Sequence, residues 1–88
     1  MITEEQVNAI AEKINAMGVD EGTISALREH YRPIHFTYCM DDDLPKNTPV
    51  AEHQGFNLYL IDGREHCLYL TNDYQAATGV VVAEIIPD

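Results

Sequence analysis

At Pro33 the spacing of apolar residues changes from a helical period to strict alternation, and this switch constrains the fold more than any other feature of the chain. Before it, Val7, Ile10, Ala11, Ile14 and Met17 recur at helical spacing, and Ile24, Leu27 and Tyr31 share a second helical face. "ITEEQV" fits a capping box: Thr3 accepts from the amide of Gln6, Gln6 reaches back to Thr3, and Ile2 and Val7 take the staple positions. Gly18 offers a left-handed C-cap, Asp20 or one of its neighbours an N-cap for the second segment, and Pro33 blocks its continuation. Helices are therefore expected at residues 4–17 and 21–30.

Past Pro33, Ile34, Phe36, Tyr38 and Met40 alternate with His35, Thr37 and Cys39, which predicts a strand over 34–40. "DDDLPKNTPVAEHQG" carries two prolines, a charge cluster and a glycine, and reads as a connecting loop. "FNLYLIDGREHCLYLTND" reads as a hairpin around Asp62-Gly63, with strands at 56–62 and 66–71 and a turn that Arg64 and Glu65 extend beyond two residues. "YQAATG" is a turn or a single helical turn, and "VVVAEII" places a last strand at 80–86. Helices followed by strands define the α+β class. The expectation is a helical hairpin packed on one face of a four-stranded, mainly antiparallel sheet.

A chain of 88 residues buries roughly 60% of its unfolded surface around a single core, which argues for one domain spanning 1–88. Fifteen acids oppose five bases for a net charge of -10. The cations that bind nucleic-acid phosphates are missing, and anionic membranes are disfavoured for the same reason. No apolar run approaches the about 18 residues of a spanning helix. The N-terminus opens on helix signals instead of a basic segment and an apolar run, so a cytoplasmic setting is expected, with Cys39 and Cys67 as free thiols.

If Phe36, Leu58 and Leu68 face the helices, the pleat sends His35, Thr37, Cys39, Asn57, Tyr59, Ile61, Cys67, Tyr69 and Thr71 to the opposite face. No predicted element covers that face. An exposed surface built on Tyr59, Ile61 and Tyr69 suits a protein partner or a homodimer, with equal weight on an ordinary half-exposed antiparallel face. Asp41, Asp42 and Asp43 form an acidic turn able to dock on a basic surface, and Arg64 is a further candidate for partner contact. The aspartates fail the calcium-loop pattern because Leu44 and Pro45 follow at once.

Two other classes of function are open to the same residues. His35, Cys39 and Cys67 share the expected face and offer soft or borderline ligands for zinc or iron, although no C-x-x-C pair announces a site. A thiol enzyme would need Cys67 with His35, or Cys39 with His66, and no oxyanion hole is identifiable beside either pair. Glycine-rich phosphate loops, H-E-x-x-H and G-x-S-x-G are all missing. The order of expectation is a non-enzymatic accessory or interaction protein without a cofactor, then a metal or metallocluster binder, then a thiol enzyme.

The segments "FTYCMDDD" (36–43), "FNLYLIDGREHCLYLTND" (56–73) and "ATGVVVAE" (77–84) resemble a family of short, functionally uncharacterised proteobacterial proteins found near nitrogen-fixation genes. The resemblance implies a context and no catalytic residues. In that context a nitrogenase component or assembly factor is the implied partner. Iron–sulfur chemistry is the implied use of any cysteine and histidine ligands.

Overall fold

The fold is that of a computed structural model, which describes residues 2–44, 47–63 and 69–86. Helix α1 (Glu4–Met17) begins with the capping box: Gln6 N donates to Thr3 Oγ1 at 3.1 Å and Thr3 N to Gln6 Oε1 at 2.9 Å. Gly18 ends it at φ +95°, where a side chain would be strained. Asp20 caps α2 (Glu21–His30) by accepting from Thr23 N at 2.9 Å.

Among the described residues five strands follow: β1 (His35–Met40), β2 (Ala51–His53), β3 (Phe56–Asp62), β4 (Tyr69–Thr71) and β5 (Gly79–Glu84). A 3-10 turn at Asp41–Asp43 directly continues β1. The sheet order is β1-β5-β3-β2, with β4 also paired to β3. Strand β2 pairs with residues 56–58 of β3 and β4 with residues 60–62, so the two short strands share one edge of β3. The sheet has four strand positions, the last of them split.

Three pairings are antiparallel, and β1 runs parallel to β5, which makes the sheet mixed. The final strand lies between β1 and β3. Strand β2 lies inside the segment read as a loop. Its three residues are too few to show a period, and a two-residue turn at Gln54-Gly55, with Gly55 at φ +93°, folds it onto β3. Strand β5 stops at Glu84, and Ile85 and Ile86 are exposed beyond it.

Alternation sends Phe36, Phe56, Leu58, Leu60, Val80 and Val82 to one face, where they pack with Val7, Ile10, Ile14, Ile24 and Leu27. Each large side chain buried in this layer stabilises the fold by about 1.5–3 kcal/mol. Among the described residues no helix is long and apolar enough to cross a membrane.

Candidate functional site

The second face of the sheet is not open. Tyr59 (5% exposed), Ile61, Val81 and Ala83 form a smaller core cluster, against which Cys39, Leu44 and Leu70 pack. Cover comes from the acidic stretch itself. After Met40 the 3-10 turn brings Asp41 over the face, where its Oδ1 accepts from the Tyr59 hydroxyl at 2.9 Å and from Asn57 Nδ2 at 3.2 Å. "HFTYCMDDD" is thus a strand and a latch: Asp41 ties the turn down, and Asp42 and Asp43 remain exposed.

Latching has electrostatic consequences. Burial, then the hydrogen bond to Asp41, raises the Tyr59 phenol above its ordinary range. Burial, then Asp43 and Asp41, raises the Cys39 thiol, which lowers its thiolate fraction at neutral pH. On the other face of β1, the Tyr38 hydroxyl donates to Glu84 Oε1; that hydrogen bond, then burial, pushes the phenol up to about 12.

The expected partner face therefore needs correction. Tyr59 and Ile61 are buried, and Tyr69 does not join them. Register pairs Asp62 with Tyr69, Ile61 with Leu70 and Leu60 with Thr71, so Leu70 takes the second face and Tyr69 and Thr71 the face of Leu60. Any loop with an even number of residues pairs even positions of β3 with odd positions of β4, whereas the expectation matched even with even. Tyr69 is 51% exposed. Arg64, His66, Cys67 and Leu68 lie outside the described residues.

The structure also separates the expected metal ligands it describes. His35 and Cys39 share a face of β1, but residues four apart on a strand stand about 13 Å apart. Zinc ligands each approach the ion to about 2.0–2.3 Å, so these two side chains do not converge on one ion. Among the described residues no group of three His, Cys, Asp or Glu is placed to hold a metal.

At the opposite end of the second face lies a feature that hydrophobic patterning did not signal. Gly79 pairs with His35 on one side and Ile61 on the other, so the side-chain layer has a gap between those two residues. The gap opens into a groove of about 690 Å³, lined also by Arg28, Arg32 and Thr78. A Cβ on Gly79 would lie 2.8 Å from the His35 carbonyl oxygen, so close strand approach is what requires glycine there. Arg28 is oriented by two bonds from Nε and Nη2 to the Phe36 carbonyl, at 3.3 and 3.2 Å. The sequence signal is "REHYRPIH" (28–35), which gathers two arginines and two histidines in a chain of net charge -10.

Two helices laid on one face of a mixed five-stranded sheet define an α+β protein, with the Asp41 latch and the arginine-lined groove at opposite ends of β1. The chain belongs to a family of unknown function, DUF6129, whose model matches residues 9–85. No curated protein and no solved structure matches it.

Proposed function

We propose that the chain is a small non-enzymatic accessory domain that docks on a protein partner, and that its setting is nitrogen fixation, with a nitrogenase component or assembly factor as the partner. The observation that carries the docking reading is the latched acidic turn. Asp41 is held by Tyr59 and Asn57, so Asp42 and Asp43 project from a fixed backbone. A fixed pair of carboxylates gives up less freedom on binding than a pair on a loose loop. The net charge of -10 favours a basic partner surface through electrostatic steering, and disfavours a second copy of the same chain. The nitrogen-fixation setting rests on the resemblance of residues 36–43, 56–73 and 77–84 to proteins found near nitrogen-fixation genes.

The test is binding of the full chain to purified nitrogenase components and assembly factors by biolayer interferometry, at about 50 mM and about 500 mM salt, where screening lengths differ severalfold. The expected result is one partner bound at low salt, with affinity falling at high salt and falling again in Asp42→Asn/Asp43→Asn. No binding by any component at low salt, or equal binding by the variant, overturns the proposal.

A further inference from the structure

The arginine groove lies at the other pole of the molecule from the acidic turn and answers to a different chemistry. Among the described residues the lysines and arginines are Lys13, Arg28 and Arg32, and two of those three line this groove. In so acidic a chain, arginines are expected to pair with carboxylates, yet the one ion pair among the described residues is Arg32–Glu29 at 3.9 Å, with both side chains more than three-quarters exposed. Exposed pairs of that kind hold their partners weakly. Arg28 has no carboxylate at ion-pair distance among the described residues; it spends Nε and Nη2 on a backbone oxygen, which fixes the plane of its guanidinium. His35 stands exposed on the same rim.

The rest of the lining is of another kind. Pro33, Ile34, Phe36 and Ile61 supply apolar surface, and Gly79 lies between Ile61 and His35. Guanidinium groups at the rim and apolar walls below match an amphiphilic anion: an oxyanion head for charge-assisted recognition, and an apolar body to lie along the walls.

We propose that the groove between His35 and Ile61 binds a small organic anion whose carboxylate or phosphate head is held by Arg28 and Arg32 and whose apolar body lies over Gly79 against Ile61. The inference is independent of the docking reading, because it uses none of Asp41, Asp42 and Asp43.

The experiment is a titration of the isotopically labelled full chain, followed by amide and arginine Nε–H resonances. Phenylphosphate and benzoate serve as the two head-group arms, with inorganic phosphate and benzyl alcohol as head-only and body-only probes. Saturable shifts at Gly63, Thr78, Gly79 and the Arg28 and Arg32 Nε–H groups are expected with phenylphosphate or benzoate, and the tighter arm names the head. Arg32→Gln, at an exposed position where it leaves the fold intact, should weaken that binding at least about fivefold, as loss of one charge-assisted contact does. Arg32→Lys should restore part of it. No saturable shift by about 20 mM of either compound, unchanged affinity in Arg32→Gln, or inorganic phosphate binding as tightly as phenylphosphate, would each overturn the proposal.

Discussion

Removing the Tyr59 hydroxyl tests whether the acidic turn is latched. Tyr59 is 5% exposed and its hydroxyl donates to Asp41 Oδ1 at 2.9 Å. Phenylalanine keeps the ring in the cluster with Ile61, Val81 and Ala83, so the loss in Tyr59→Phe is confined to one hydrogen bond. Bonds to charged groups contribute about 1.5–3 kcal/mol, and Asp41 keeps its bond from Asn57, which puts the expected cost near the low end, about 1.5 kcal/mol. Asp41→Ala removes both bonds and leaves a buried phenol without its acceptor, for about 2–3 kcal/mol. If the two side chains act on one another, the double variant falls short of the sum by about 1 kcal/mol or more. Urea unfolding followed by circular dichroism measures all four species. With a slope of about 1 kcal/mol per molar, expected for a small chain, Tyr59→Phe lowers the midpoint by about 1.5 M. A shift under about 0.5 M, or additivity within about 0.3 kcal/mol, would refute the latch. Tyr59→Phe changes no charge, so a parallel fall in partner affinity would trace docking to the fixed geometry of Asp42 and Asp43.

Two further outcomes follow from the sheet. Gly79→Ala would set a Cβ 2.8 Å from the His35 carbonyl oxygen and 3.0 Å from its Cβ, forcing β1 and β5 apart at a cost of about 1–3 kcal/mol; Gly22→Ala, which meets only Asp20 Oδ1 at 3.3 Å, should melt near the parent temperature, and equal melting of the two variants would contradict the close strand approach. The Tyr38 phenol should titrate near 12 by ultraviolet absorbance, held up first by its hydrogen bond to Glu84. Because its folded pKa lies above the ordinary value of 10.0, its contribution to stability is complete below pH 10 and is lost as pH rises toward about 12. Tyr38→Phe should reduce that decline, leaving the share of the raised Tyr59 phenol, and Glu84→Gln should lower the midpoint; an unchanged midpoint in Glu84→Gln would count against the pairing.

Local elements were the most legible part of the fold because their signals lie within a few residues. The Thr3/Gln6 capping box, the Asp20 cap and the apolar stripes of α1 and α2 all use neighbours at most four positions apart. Strands β1, β3 and β5 showed as β-branched and aromatic runs. Strand β2 did not, because three residues beside a glycine turn look like loop until β3 is there to pair with them. The candidate sites were less legible still. His35 and Cys39 were grouped as candidate ligands because alternation puts them on one strand face, but an extended backbone spreads residues four apart along that face. Asp41 was read with Asp42 and Asp43 as part of an acidic docking turn, and its partners Asn57 and Tyr59 lie 16 and 18 positions away.

The sequence by itself determined that two amphipathic helices precede a set of strands, where each helix begins, and that the chain carries a net charge of -10; these follow from short-range periodicity, capping chemistry and composition. Only the tertiary structure decided that β5 runs between β1 and β3, that the register puts Leu70 and not Tyr69 on the second face, and that Gly79 opens a groove flanked by Arg28 and Arg32. Strand pairing joins residues dozens of positions apart, and a one-residue change of register exchanges the two faces of a strand, so the surface presented to solvent is settled only when the whole sheet has assembled.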